Sequence, residues 1–258
     1  LMLDNTDRNR TSPFAFTGNR FEFRAVGSAA NCAGPITVLS AAVAERLERF
    51  NKDVNALIDN DKLKKDEAIF RVLRNYITES KPVRFEGNGY SSEWEETAQK
   101  RGLTNAKKAS EVYKAFLSDK TEKLFNERDI LTKREMQSRH EINIDEYIKK
   151  MQIESRVLGD LAINHINPTA IKYQNILIEN LRGLKELYPD DKDFRTNAED
   201  SLVTVEKLNK HRNSIIKSVK SMINARKDAN AEENRSRRLI MYETNVMPYL
   251  EQIRYHTD

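Results

Sequence analysis

Apolar residues recur at three- and four-residue steps along most of this chain, which is the spacing of helices that bury one face. Ile36, Leu39, Val43, Leu47, Phe50, Val54 and Leu57 predict one helix reaching about Ile58, with Pro35 in its first turn, where a missing N–H costs nothing. Asp59-Asn60-Asp61 interrupts the stripe. A second helix at about 66–79 carries Ile69, Val72, Leu73, Tyr76 and Ile77 and stops at Lys81-Pro82. Val83 to Phe85 reads as a short strand and Gly87-Asn88-Gly89 as a tight turn. A phosphate-binding loop would instead place Gly-Lys-Ser/Thr after a buried strand. Ser91 or Ser92 is placed to cap a helix through Lys100, ended by Arg101-Gly102. Thr104 is placed to cap another to about Leu117, and a shorter helix follows to about Glu127.

From Thr132 the helical pattern continues almost to the end. One helix carries Tyr147, Ile148, Met151, Val157, Leu158 and Leu161. Asn167-Pro168 is expected to interrupt it, with Asn167 capping and Pro168 opening the next, which carries Ile171, Leu177, Ile178, Leu181, Leu184 and Leu187. After the turn at Pro189-Asp190-Asp191, the series Leu202, Val205, Leu208, Arg212, Ile215, Val219 and Met222 forms a seam for an antiparallel neighbour. Leu239, Tyr242, Val246, Tyr249, Leu250 and Ile253 mark a last helix. The expected fold is mainly α: a bundle with long antiparallel helices after a short β segment.

That β segment lies near the start. Arg20-Phe21-Glu22-Phe23-Arg24 alternates with period two, the pattern of a strand. Arg20, Glu22 and Arg24 then share one face, spread over roughly 13 Å at about 3.3 Å per residue. A carboxylate between two guanidiniums suits a cation and a polyphosphate held together. By spacing alone a solvated charged face on a half-buried strand is favoured, because charged–apolar alternation is common.

The surrounding residues add to this. Asn9-Arg10-Thr11, then Asn19-Arg20-Phe21-Glu22-Phe23-Arg24, then Ser28-Ala29-Ala30-Asn31-Cys32 occur in fixed order. The series resembles the last part of the catalytic domain of glutamine synthetases, where Asn-Arg-Ser/Thr, Arg-x-Glu-x-Arg and Ala-Asn follow one another. Phe85-Glu86-Gly87-Asn88-Gly89-Tyr90-Ser91, Arg101-Gly102-Leu103, Gln152 to Leu161, Pro168-Thr169-Ala170-Ile171 and Ile253-Arg254-Tyr255-His256 resemble the long helical C-terminal region of the type III class. The resemblance runs over essentially all 258 residues.

The resemblance implies a division into 1–59, the end of the catalytic domain, and 60–258, the helical C-terminal domain. It implies that Glu22 binds the divalent ion, Mg2+ or Mn2+, and that Arg20 contacts the phosphates of ATP. It makes Arg24 and Arg10 catalytic: Arg24 reaches the reacting carboxylate of glutamate and its phosphorylated form, and Arg10 faces phosphate. Many family members carry a further arginine where this chain has Ala15, and Arg8 is the nearest substitute in sequence. The implied chemistry joins glutamate and ammonia through γ-glutamyl phosphate, a reaction that asks for positioning and charge neutralisation. The motif begins only a few residues after Leu1, so the chain reads as the C-terminal part of a larger enzyme, inactive alone. The resemblance implies a homo-oligomer of two stacked hexameric rings.

Composition narrows the alternatives. Eight glycines and six prolines, with 38% hydrophobic and 33% charged residues, favour long solvated helices. A net charge of +4 is too balanced for a nucleic-acid binder, and the cluster Arg235, Arg237 and Arg238 lies among Glu232, Glu233 and Glu243. The single cysteine, Cys32, excludes an intrachain disulfide, fits a reducing compartment and is expected to be a small buried thiol. No apolar run approaches 18 residues and no signal peptide is visible, so a cytoplasmic protein is expected. His140, His165, His211 and His256 show no ligand spacing. The competing reading is a helical scaffold or assembly module without chemistry, since residues 60–258 show no catalytic cluster.

Overall fold

Helix ends and in-helix prolines shape the computed structural model, which describes residues 14–16, 20–24, 31–85 and 87–257. Near the start, β1 (Phe14–Phe16) pairs antiparallel with β2 (Phe21–Phe23), in the register Phe14↔Phe23, Ala15↔Glu22 and Phe16↔Phe21. Every other element described is helical, so the fold is mainly α, as the periodicity predicts. The chain divides into two compact units, residues 1–107 with 118–133 and residues 108–117 with 134–258. The boundary expected near residue 59 concerns where a catalytic domain ends, and the two units partition the chain along other lines.

In the N-terminal unit, α1 (Ala33–Asp61) packs on α2 (Lys65–Glu79). Val54, Ala68 and Val72 are buried between them, with Phe50, Leu57, Ile58, Leu63, Ile69 and Tyr76 around the rim. Pro35 occupies the first turn of α1. The helix ends at Lys62, whose φ of 55° is left-handed. Cys32 precedes this helix and is exposed, contrary to expectation, because no described element covers that end.

The strand expected at 83–85 is absent: residues 81–83 form a 3-10 turn, and Arg84 and Phe85 are in neither helix nor strand. Asn88 then makes an Asx turn, its Oδ1 accepting from the Tyr90 N–H at 3.0 Å. Gly87 is required here: a Cβ would lie 2.9 Å from the Phe85 ring. Ser91 caps α3 (Ser92–Lys100), accepting from the Trp94 N–H at 3.4 Å. Gly102, at φ +74°, closes it with the Leu103 N–H donating back to the Ala98 carbonyl at 2.9 Å. Ser118 caps α5 (Asp119–Asn126).

In the C-terminal unit, α4 (Ala109–Phe116) starts later than expected and Thr104 does not cap it. Its N-terminus is held by a distant carboxylate. Glu243 accepts from the Ser110 N–H at 3.0 Å and from the Ser110 hydroxyl at 2.6 Å.

The interruption expected at Asn167-Pro168 is absent. Helix α6 (Lys133–Asp160) runs through a π turn, Leu161–Ile166, straight into α7 (Asn167–Leu187). Asn167 keeps helical angles, and its N–H donates to the Ala162 carbonyl five residues back. The wider turn accommodates Pro168, which lacks an N–H and crowds the carbonyl four residues earlier. The same device recurs: α9 (Arg235–Met241) passes through the π turn Tyr242–Val246 into α10 (Met247–Thr257), just before Pro248. Asn167 instead accepts from Arg212 Nε at 2.9 Å.

Between these runs lies α8 (Asp191–Ala231), 41 residues long and capped by Asp190, which accepts from the Lys192 and Asp193 N–H groups. Ile215, Val219, Met222 and Ala229 on its inner side are buried with Ile144, Ile148, Ala162, Leu239, Tyr242, Val246 and Ile253. The expected seam is present. Arg212 lies partly buried within it, donating to Asn167 and to Gln174 Oε1 at 2.9 Å.

Tyr242 is fully buried, and its hydroxyl donates to Asn230 Oδ1 at 2.7 Å. Replacing it by Phe is expected to cost about 1 kcal/mol, the net value of one hydrogen bond. Replacement by Ala is expected to cost about 3–5 kcal/mol. Chemical denaturation of both variants checks the difference.

Burial also holds the hydroxyls of Tyr113, Tyr147 and Tyr242 above the ordinary tyrosine value of 10.0, with nearby carboxylates adding to the rise at Tyr113 and Tyr147. The fold therefore favours the neutral phenols. Their contribution is complete below pH 10 and is lost as pH rises through the elevated values. Tyr76 is raised as well, by desolvation and by its bond to Asp53, so tyrosinate absorbance is expected to show four late-titrating groups; ordinary titration of all nine tyrosines would contradict this.

Candidate functional site

The charged motif sits on the β-hairpin. Strand β2 spans only 21–23, so Glu22 lies at its centre, Arg20 in the bend before it and Arg24 just after it. Arg24 Nη2 donates to Glu22 Oε2 at 3.2 Å. The two side chains keep 22% and 21% of their surface exposed. The pair is therefore part-buried. Arg20 is exposed. Arg10 and Arg8 lie outside the described residues. Ala15 stands directly across the ladder from Glu22. An arginine at that position would share a rung with the carboxylate, so its absence changes the charge beside Glu22.

One carboxylate is not a cation site by itself, since Mg2+ or Mn2+ takes several oxygen ligands. Glu22 fits as one of them. Among the described residues, no three His, Cys, Asp or Glu side chains converge in a way that could hold a metal ion.

The structure also joins groups that sequence spacing kept apart. His211 on α8 and His256 on α10 lie 45 positions apart, yet their Nδ1 atoms are 3.2 Å from each other. The pair docks the end of α10 onto α8, and one ring must be neutral to accept the other's proton. His140 packs edge-on against Tyr113, which meets Tyr147 in the same way. Two of the three arginines in the cluster are used internally: Arg235 pairs with Glu141 at 2.9 Å and Asp145 at 3.3 Å, and Arg238 Nε donates to the Glu232 carbonyl, while Arg237 is exposed. Among the described residues, no helix is long and apolar enough to cross a membrane.

Comparison with known proteins supplies the class. Residues 68–185 match the family model described as the glutamine synthetase C-terminal domain. A glutamine synthetase of Bacteroides fragilis (strain YCH46) is 46% identical over 259 residues, covering 100% of this chain and 35% of that protein. The chain belongs to the glutamine synthetase family and contains its C-terminal domain. Its type III character also has a match: a type-3 glutamine synthetase of Dictyostelium discoideum is 33% identical, again over 100% of this chain and 35% of its own length. A glutamine synthetase of Butyrivibrio fibrisolvens is 36% identical over 188 residues, 73% of this chain and 26% of that protein. The chain thus spans about a third of the length of the first two relatives.

Proposed function

We propose that this chain works as the C-terminal part of an ATP-dependent glutamate–ammonia ligase of the type III kind. The observation that carries the reading is the match over the whole of this chain to about a third of each glutamine synthetase. The part-buried Glu22–Arg24 pair on its hairpin is consistent with it. In the proposed reaction the γ-phosphoryl group of ATP passes to the γ-carboxylate of glutamate, giving γ-glutamyl phosphate and ADP. Ammonia then attacks the acyl carbon, the bond to the phosphate oxygen breaks, and glutamine and phosphate leave. A divalent ion, when bound, supplies charge neutralisation at the phosphates.

The proposed roles follow the chemistry of each side chain. Glu22 offers one oxygen ligand to the cation. Arg20 neutralises nucleotide phosphate oxygens with its planar fork. Arg24 holds the reacting carboxylate and the acyl phosphate formed from it, exchanging its hydrogen bond to Glu22 for one to substrate. Arg10 completes the phosphate-facing set.

The helical region has a second proposed role, in assembly as a homo-oligomer. Apolar side chains stand exposed on its helices at one-face spacing: Ile142, Ile153 and Val157 on α6, and Phe70, Leu73 and Ile77 on α2. Apolar side chains left uncovered along one side of a helix offer a face on which a partner's apolar surface can pack. We propose that neighbouring protein in the intact enzyme covers it.

In the intact enzyme, Glu22→Ala and Arg24→Ala are each expected to lose nearly all glutamine formation while the assembly keeps its mass, and Arg20→Ala mainly to raise the ATP requirement. Steady-state kinetics with varied metal and ATP check this; near-normal turnover of Glu22→Ala at low metal would overturn the assignment. The 258-residue chain by itself is expected to make no glutamine, and glutamine production from ATP, glutamate and ammonia would contradict that.

A further inference from the structure

Two charged clefts of similar size lie in the N-terminal unit, and their charge balance differs. The first, about 350 Å³, is lined by Glu45, Glu48, Arg49, Lys52, Asp53 and Arg128. It carries three carboxylates against three cations. Arg128 meets Glu48 at 2.6 Å, Asp53 accepts from the Tyr76 hydroxyl at 2.7 Å, and Arg49 lies 4.0 Å from Asp53. Its charges answer one another.

The second cleft, about 400 Å³, is lined by Lys81, Arg84, Phe85 and Arg101. It holds three cations, and among the described residues no carboxylate pairs with any of them. Like charges gathered without a counter-charge repel one another, and a cleft lined by one sign concentrates ions of the other.

The walls of this cleft are fixed. Arg101 Nη1 donates to the carbonyls of Pro82 at 3.1 Å and Arg84 at 2.7 Å. Its guanidinium lies 5.7 Å from the centroid of Trp94, and Trp94 stacks on Phe85 at 4.6 Å. Phe85 is backed on another side by Gly87, where any larger residue would collide with it. The 3-10 turn that presents Lys81 and Arg84 is therefore tied to the end of α3 that presents Arg101.

We propose that this cleft binds an oligophosphate, either free or as the tail of a nucleotide, between Lys81, Arg84 and Arg101. A chain of phosphoryl groups carries the multiple negative charges that three cations match, and arginine forks suit phosphate oxygens. The volume lies within the range of small-molecule sites. The inference uses none of the hairpin residues and does not rest on the catalytic reading.

The test is calorimetric titration of tripolyphosphate, and separately of ATP, into the full chain without divalent metal. Tripolyphosphate is expected to bind with one-to-one stoichiometry, weakening as salt rises. Lys81→Ala with Arg84→Ala is expected to lower its affinity about tenfold or more. Both side chains are exposed and make no hydrogen bond that the fold uses, so circular dichroism of the variant should match the parent. Equal affinity for tripolyphosphate and ATP would assign recognition to the phosphate chain, and tighter ATP would add the nucleoside; both support the site. Lys52→Ala, in the charge-balanced cleft, should leave the titration unchanged. No binding, or binding that survives the Lys81–Arg84 double substitution, would overturn the proposal.

Discussion

The inner face of α8 is the constraint on which the C-terminal unit depends. Ile215, Val219, Met222 and Ala229 must leave water. The chain solves this with two continuous helical runs, residues 133–187 and 235–257, each longer than its prolines would ordinarily allow. In both, a π turn immediately before the proline keeps the run unbroken, and both π turns place residues in the buried cluster, Ala162 in one and Tyr242 and Val246 in the other. The turns that rescue the prolines are thus also part of the packing surface.

Much of this was legible in the sequence. The stripe on α8 announces which of its residues are buried, because burial on one face writes a 3.6-residue period, whereas on α1 and α2 only Val54 and Val72 of the stripes are buried and Ile36, Val43, Leu47, Leu73 and Ile77 stay exposed. The cap Ser91 and the stop at Gly102 are readable because each acts on its own helix, whereas the cap Ser118 emerges only from the fold. What stayed hidden is non-local. Glu243 caps α4 from 133 positions away, so Thr104 seemed the better candidate. Asn167 looked like a cap because an Asn-Pro pair usually opens a helix, whereas its side chain serves Arg212 and its backbone continues the run. His211 and His256 meet only because α10 folds back along α8.

The candidate site divides in the same way. Period two on residues 20–24 predicts the strand and the common face of Glu22 and Arg24, and the two side chains do meet. The alternation carried no information about register, so that Ala15 stands opposite Glu22 emerges only from the fold. The Lys81–Arg84–Arg101 cleft was missed for a related reason: its cations come from a turn and a helix end separated by α3, with no periodicity joining them.

Chemistry and assembly are proposed to occupy different parts of the chain, the hairpin with its charged pair and the helices with their uncovered apolar faces. The most direct measurement of that division is the mass of the intact enzyme, by light scattering, after Ile153→Glu with Val157→Glu. Both positions are exposed on α6, so the unit itself should keep its helical spectrum. The account predicts a smaller species with reduced activity. An assembly of unchanged mass and full activity would contradict it.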